Sequence, residues 1–358
     1  MCHFIMMTCQ CGVERFLKQE VLERYHDLKT AFLKPGFVTF KATPAWNAQR
    51  VSEMRSIFAR YKGISLGRMP YFRDAPMLEM AGESAWMVAL DMPRDLQIDR
   101  IHVFPRDRTV PGNFGFEPHI NDYCREIHNT VTLHCPYREK LAPGADDPLC
   151  PAERNETVLD IIIVSESDWY MGYHFANDWR SCQPGGIVDL QLPIDMLSRA
   201  FLKFEEGLRW SGLPVRAGSR WLDIGAAPGG GSQALLARGA EVIGVDPAET
   251  SPILIDNPSF HHLRGRLNQL KRSHFRKIRW VITDMNVAPN YTLDVLEELI
   301  SRRDINIRGL LFTLKLVKWD LVADIPKYVQ RIKSWGCTQI AIAQMQFNRQ
   351  EIMVAVKK

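Results

Sequence analysis

The stretch that most constrains the fold of this 358-residue chain is WLDIGAAPGGGSQAL, which runs from Trp221 to Leu235. Its apolar start predicts a buried strand with Asp223 at its end, and its glycines predict a tight turn into a helix. Glycine lets the backbone approach a ligand where a Cβ would clash. A second apolar strand ends in Asp246, 23 residues after Asp223. A glycine loop after one strand and an acid after the next are how an α/β sheet holds a nucleoside.

From residue 193 onwards, strand and helix patterns alternate, which predicts a doubly wound α/β sheet. Ligands of such sheets bind outside the carboxyl ends of the strands. Four polar residues fall at these ends: Asp223, Asp246, Asp284 and Lys315. The glycine loop does not have the GxGxxG spacing, which argues against a dinucleotide ligand.

The length of the chain predicts more than one domain. We predict three parts, with boundaries at 1–70, 71–185 and 186–358. Strands and helices alternate in the first part and predict a small ferredoxin-like α+β domain, with a helix over 46–60. In the second part, apolar runs predict strands over 86–90 and 98–104. The last part contains the doubly wound sheet.

The composition is that of a globular protein, with 46% hydrophobic and 24% charged residues. The chain has no run of 18 apolar residues and no signal-peptide pattern, so we expect neither a membrane span nor secretion. Its eight cysteines are too few for a disulfide scaffold and lack the spacing of zinc ligands. These features predict a cytoplasmic protein with reduced cysteines and no metal site.

The net charge is only +4, but the positive charge is unevenly distributed. No acidic residue lies between Asp256 and Asp284, and this segment is rich in basic residues: Arg264, Arg266, Lys271, Arg272, Arg276, Lys277 and Arg279, with His261, His262 and His274. A patch of one sign beside a cofactor site suits a polyphosphate substrate. The alternative interpretation is a solvated helix and loop.

Four charged residues stand in apolar surroundings, where charge is costly. They are Lys203 in FLKFEE, Asp284 in VITDMN, Lys315 in LFTLKLV and Glu351 in FNRQEIMVAV. Taken singly, Lys203 could extend its amine to solvent and Asp284 could cap a turn. Lys315 is harder to explain in this way, because it lies within a strand that is predicted to be central.

These motifs resemble those of known methyltransferases. DIGAAPGG resembles motif I of enzymes that use S-adenosylmethionine (SAM), and the order Lys-Asp-Lys-Glu resembles the tetrad of FtsJ-type ribose 2′-O-methyltransferases. The whole chain is most similar to the bacterial large-subunit ribosomal RNA cytidine 2′-O-methyltransferases. The stretches that carry this resemblance are FLKFEEGL, WLDIGAAPGG, VITDM, LFTLKLV and FNRQEIMV.

The resemblance implies a ferredoxin-like domain, a THUMP-like RNA-binding region and a C-terminal Rossmann-like SAM methyltransferase domain. It implies SAM as the cofactor, RNA as the partner and a ribose 2′-hydroxyl as the methyl acceptor. The cofactor-binding residues would be Asp223, Gly225, Ala226, Pro228, Gly229, Gly230, Asp246 and Asp284.

The four charged residues would be the catalytic groups. Lys315 would engage the ribose hydroxyl as a base, with Asp284 and Glu351 orienting it. A lysine is an adequate base only if its pKa falls from about 10.4 towards the working pH. We expect burial, the sulfonium charge of SAM and the second cation Lys203 together to lower the pKa of Lys315 in this way.

The chain departs from the family pattern at two places. Gly231 stands where the family has an aromatic residue, and the segment 260–266 lacks the acid that usually meets the adenine amino group. Two alternatives therefore stay open: a methyltransferase-fold RNA-binding protein without catalysis, and a methyltransferase for another RNA or for a non-RNA acceptor. We expect a monomer that binds RNA.

Overall fold

The computed structural model describes residues 3–69, 77–93, 96–302 and 304–358. The chain divides into two compact units, Met1–Asp189 and Leu190–Lys358. The division lies four residues beyond the predicted start of the last domain at 186. The further division of the first unit at 70/71 stays a prediction.

The N-terminal unit is built around one mixed sheet of seven strands with the order β2-β3-β1-β4-β7-β6-β5. All neighbouring strands are antiparallel except β5 and β6. Its elements are β1 (His3–Cys9), α1 (Glu14–Arg24), β2 (Lys29–Lys34), β3 (Phe37–Ala42), α2 (Ala48–Ser52), β4 (Ala59–Arg68), α3 (Met77–Ala89), β5 (Arg100–Pro105), α4 (Asp122–Leu133), β6 (Thr157–Ser165) and β7 (Asp168–Phe175).

Two element predictions in this unit are wrong. The helix predicted over 46–60 ends at Ser52, because the chain from Ala59 pairs with β1 as strand β4. The run predicted as a strand over 86–90 is instead the end of helix α3 and its following turn. The indole N–H of Trp86 donates to the Val131 carbonyl of α4 at 2.8 Å. A short apolar run cannot distinguish a buried helix from a strand.

The C-terminal unit has the predicted doubly wound sheet, with the order β10-β9-β8-β11-β12-β14-β13. The first five strands are parallel, and β14 is antiparallel to both of its neighbours. The elements are α5 (Ala200–Ser211), β8 (Arg220–Ile224), α6 (Gly230–Leu236), β9 (Glu241–Asp246), α7 (Pro252–Ile255), β10 (Phe260–Arg264), β11 (Trp280–Thr283), α8 (Pro289–Ser301), β12 (Gly309–Lys315), α9 (Ile325–Lys333), β13 (Gln339–Ala343) and β14 (Glu351–Lys357).

The central strands are apolar over nearly their whole length because helices cover both faces of a parallel sheet. All seven residues of β12 are buried. Helix α5 places Phe201 and Phe204 in the core that also contains Trp221 of β8 and Leu311 of β12. This packing brings α5 close to the edge of the sheet where the parallel strands end.

The seven cysteines that the structure describes are all free. Among the same described residues, none of the helices is both long and apolar enough to cross a membrane.

Candidate active site

The glycine turn connects β8 to α6 and lies at the carboxyl edge of the sheet. Gly225 has a φ of +76° and Gly229 a φ of +132°, conformations that favour glycine. A Cβ at Gly225 would lie 2.7 Å from the Met285 side chain, and one at Gly229 would lie 2.2 Å from Leu254. The turn therefore needs glycine for its own backbone and for the close approach of its neighbours.

A cavity of about 380 Å³ opens beside this turn, within the range of about 300–1,000 Å³ that is typical of small-molecule sites. Of the eight predicted cofactor-binding residues, Gly225, Asp246 and Asp284 line it. Asp223, Ala226, Gly229 and Gly230 are buried in or beneath the turn, and Pro228 is exposed on it. Other residues that line the cavity were not predicted as cofactor-binding residues from the sequence. They include Ala227, Arg266, Asn268, Met285, Asn286 and Tyr291.

The carboxylate of Asp246 lies close to the glycine turn. Its Oδ2 accepts the backbone N–H of Ala227 at 3.1 Å, and its Oδ1 accepts that of Ala248 at 2.8 Å. Each carboxylate oxygen has a second lone pair, so Asp246 can still accept ligand hydroxyls. The two backbone bonds fix the carboxylate at the rim of the cavity.

Asp223 is only 2% exposed. Burial raises its pKa to about 7, and the negative charges of Asp284 and Asp246 act in the same direction. A hydrogen bond from the Ser232 hydroxyl, at 2.8 Å, partly opposes this rise. Asp223 therefore supports the turn from below and is close to half protonated near neutral pH.

The four predicted catalytic side chains lie together and form an alternating ring of charges, here called the lysine–carboxylate ring. The Nζ of Lys203 lies 3.0 Å from Asp284 Oδ2 and 2.6 Å from Glu351 Oε1. The Nζ of Lys315 lies 2.6 Å from Asp284 Oδ1 and also contacts Glu351 Oε2. Each amine thus contacts both carboxylates.

Sheet register explains why these residues meet. Lys315 of β12 is the direct antiparallel partner of Glu351 of β14. Asp284 follows β11, the other neighbour of β12. Lys203 reaches the same edge from helix α5. The ring members are 3–12% exposed, and Asp284 also lines the cavity, so the ring borders the cofactor-sized space.

The expectation that burial and Lys203 lower the pKa of Lys315 is wrong for the geometry of the ring. Burial alone would lower the pKa, but contact with Glu351 and Asp284 outweighs burial and raises it. For Asp284, burial alone would raise the pKa, but Lys203 and Lys315 together hold it below its usual value. Lys315 and Asp284 are therefore both charged across the neutral pH range.

Two further side chains complete the ring and were missed in the sequence. The Thr313 hydroxyl donates to Asp284 Oδ1, and the Asn348 amide donates to Glu351 Oε1 at 3.3 Å. Thr313 could have been found, because it stands two residues before Lys315 and residues i and i+2 share one face of a strand. Asn348 lies in a loop and gave no periodic signal.

The structure accounts for the glycine at position 231. A Cβ there would lie 2.9 Å from the Phe204 ring and 3.0 Å from Asp223 Oδ2. Phe204 of α5 is 1% exposed and fills this space from another element. A larger side chain at position 231 would therefore collide with Phe204 and Asp223.

The segment without acids borders the cavity and extends away from it. Gly265 and Arg266 line the cavity where the family would have an acid. Six of its basic side chains are exposed: Arg264, Arg266, Lys271, Arg272, Arg276 and Lys277. Arg264 pairs with Glu249 at 2.7 Å, across two exposed side chains. The cavity therefore opens beside a predominantly positive surface.

Comparison with known proteins gives consistent results. A family model described as FtsJ-like methyltransferase matches residues 196–334. A protein named Ribosomal RNA large subunit methyltransferase M from Serratia proteamaculans is 27% identical over 377 residues, covering 99% of this chain and 96% of its own. The protein of the same name from Musicola paradisiaca is 25% identical over 389 residues, with the same coverage. Among solved structures, TrmN from Thermus thermophilus is 13% identical with a TM-score of 0.37, covering 99% of this chain and 100% of that one.

Proposed function

We propose that this chain is a SAM-dependent RNA ribose 2′-O-methyltransferase, because a model of the FtsJ-like methyltransferase family matches residues 196–334. Its substrate is large-subunit ribosomal RNA, with cytidine as the acceptor nucleotide. The full-length similarity to two proteins named Ribosomal RNA large subunit methyltransferase M supports this substrate class. An RNA substrate is consistent with a cytoplasmic protein, and we propose that it acts as a monomer.

The observation that carries the proposal is the position of the lysine–carboxylate ring at the border of the cavity. Asp284 belongs to both, since it lines the cavity and contacts both lysines. A methyl donor in the cavity and an acceptor hydroxyl at the ring would meet beside Asp284. In-line methyl transfer depends largely on such positioning.

The cavity fits SAM in size and in the chemistry of its lining. Gly225, which has a positive φ, has no Cβ to project into the cavity. Asp246 keeps lone pairs that can accept hydrogen bonds from ribose hydroxyls. When bound, SAM supplies the methyl group and a positive sulfonium charge. Asn268 lines the cavity near Arg266, and its amide offers a neutral hydrogen-bonding group for adenine in place of the missing acid.

Lys315 is the group that engages the ribose hydroxyl. Contact with Glu351 and Asp284 raises its pKa, so within the ring it is an ammonium that can donate to the hydroxyl oxygen. Asp284 faces the cavity and would share its negative charge with any cation bound there. A further positive charge near a lysine lowers its pKa, so a bound SAM would favour the neutral amine of Lys315, which is the form that can accept the hydroxyl proton.

RNA would be held by the exposed basic segment and by the N-terminal unit. The order β1-α1-β2-β3-α2-β4, with the strand order β2-β3-β1-β4, supports a ferredoxin-like interpretation of residues 1–70. We propose that residues 71–185 form the THUMP-like RNA-binding region. RNA affinity should fall steeply with added salt if lysines and arginines neutralise phosphates.

The test is transfer of a labelled methyl group from SAM to large-subunit ribosomal RNA by the purified chain, with 2′-O-methylation mapped along the RNA. We expect methylation of the 2′-hydroxyl of one cytidine. RNA binding without SAM binding at millimolar ligand would instead favour the non-catalytic alternative, which the missing adenine acid motivates. Methylation of a base or of a protein would overturn the assignment of the acceptor.

A further inference from the structure

Glu206 is a buried carboxylate that no step of the proposed chemistry uses. It lies on α5, one helical turn after Lys203, and is 1% exposed. Its Oε1 accepts the backbone N–H of Gln346 at 2.9 Å, and its Oε2 accepts that of Phe347 at 3.2 Å. Both carboxylate oxygens thus hold the loop between β13 and β14.

That loop leads directly to the ring. The Asn348 Oδ1 accepts the backbone N–H of Met345 at 2.9 Å, which closes the turn. The amide nitrogen of Asn348 then donates to Glu351 Oε1. The same oxygen contacts Lys203, while the other oxygen of Glu351 contacts Lys315.

We propose that Glu206 is a positioning residue that clamps the loop of residues 345–348, so that Asn348 holds Glu351 in contact with both lysines. This inference rests on the proposed methyl transfer. Helix α5 thereby supplies one ring member, Lys203, and fixes the orientation of another, Glu351. A single rigid element sets the distance between an amine and a carboxylate of the ring.

The first test is Glu206→Gln in the full chain. A glutamine keeps the shape but turns an N–H₂ towards one of the two backbone N–H groups, so the loop must shift. A misplacement of about 1 Å can cost about 10²-fold in rate, so we expect a loss of this order in kcat. The KM for SAM should change little, because Glu206 does not line the cavity.

The neighbouring Glu205 provides the matched control. It is also buried on α5, but its carboxylate pairs with Arg238 and Arg209. Glu205→Gln removes the same charge from the same helix without touching the loop, and it should leave kcat near that of the wild type. Equal losses in the two variants would show a general effect on the helix and would overturn the proposal.

A second variant, Asn348→Asp, keeps the oxygen that closes the turn and replaces the donor to Glu351 by an acceptor. In Glu206→Gln, which adds no negative charge to the ring, Glu351 should turn away from Lys315, and this removes a cause of the raised pKa of Lys315. The rising limb of kcat against pH should therefore move to lower pH, whereas mere loss of folded protein would lower kcat without moving it.

The Glu206→Gln/Asn348→Asp double variant should be no slower than the worse single variant, because both act through Glu351. Additive losses, or an unmoved pH profile in Glu206→Gln, would overturn the inference. If the wild-type chain methylates no RNA, the proposed function fails instead. An active wild type with fully active loop variants refutes only the role of Glu206.

Discussion

Each unit of the molecule buries a polar cluster within its sheet, and the two clusters differ in where the sheet places them. The lysine–carboxylate ring lies at the carboxyl ends of parallel strands and borders a cavity. The other cluster, here called the histidine cluster, consists of Tyr61, His102, Asp160 and His174 in the interior of the N-terminal sheet. Its members are at most 5% exposed.

Hydrogen bonds account for the geometry of the core of the histidine cluster. Asp160 Oδ2 accepts from the Tyr61 hydroxyl at 2.9 Å and from His174 Nδ1 at 2.6 Å. His174 Nε2 faces the Ser181 carbonyl at 2.8 Å. Both ring nitrogens of His174 therefore face oxygen acceptors and are satisfied when the ring carries two protons. The potential ligand atoms of His102, Asp160 and His174 lie within 4.8 Å of one another, but both ring nitrogens of His174 already face oxygen acceptors.

Burial of charge does not by itself indicate a catalytic site. Both clusters are largely buried and both join opposite charges. Only the ring combines two cations and two anions beside a space large enough for a ligand. We therefore expect loss of a ring member to affect the reaction and loss of a histidine-cluster member to affect folding.

The largest expected effect is that of Lys315→Ala on methyl transfer. Removal of a group that acts in proton transfer typically costs about 10²–10⁴-fold in rate, and we expect kcat to fall by this amount. Asp284 and Glu351 both keep Lys203, so the fold and the cavity should persist and calorimetry should show near-normal SAM affinity.

The control is Lys327→Ala, which removes the same charge from a side chain that is 80% exposed. This variant should be fully active. Near wild-type activity of Lys315→Ala would show that the ring, like the histidine cluster, has only a structural role.

The next effect is one of stability, in Asp160→Asn. The amide oxygen can still accept from Tyr61 and His174, but the amide is neutral, so a buried imidazolium loses its counter-charge. Removing one partner of a buried ion pair typically costs about 3–5 kcal/mol, and urea denaturation should show a loss of this size. The control Asp146→Asn alters an exposed residue and should change stability by less than about 0.5 kcal/mol.

The kinetics of the same variant test whether the histidine cluster has only a structural role. The folded fraction of Asp160→Asn should methylate RNA with an unchanged kcat. A large fall in kcat per folded molecule, without loss of stability, would mean that the histidine cluster takes part in function.

The sequence predicted the ring because each member is a charged residue at a strand end or in an apolar helix. The doubly wound sheet of the C-terminal unit followed from the alternation of strands and helices. The direction of the pKa of Lys315 could not be predicted. The direction depends on whether the groups nearest to the Lys315 amine are carboxylates or a second amine. Contacts of about 3 Å between side chains cannot be read from the sequence.

The N-terminal unit was harder to predict because its signals are local and weak. Strand β2 was missed, since it lies at the sheet edge and only partly buries alternate residues. Asp160 and His174 stand in apolar strands as Lys315 does, and sequence alone offers no distance by which to pair them.

The smallest expected effect is a difference in pH dependence. Burial would lower the pKa of His174, but Asp160 outweighs burial and raises it, while burial raises the pKa of Asp160. A histidine with a raised pKa contributes stability that is present below its unfolded value of about 6.5 and is lost as pH rises through the folded value. The stability difference between wild type and Asp160→Asn should therefore shrink as pH rises above neutrality.

The ring should behave differently over the same range. Lys315, with a raised pKa, contributes stability that is lost only above its unfolded value of about 10.4, and Asp284, with a lowered pKa, only below about 3.9. The stability difference between wild type and Lys315→Ala should then be flat from pH 5 to 9, as urea midpoints at several pH values would show. Taking differences between variants cancels the contribution of Asp223, whose pKa of about 7 falls inside this range. A slope for the ring as steep as that for the histidine cluster would mean that a ring member titrates near neutrality without the cofactor, and Lys315 would then be poised as a base before SAM binds.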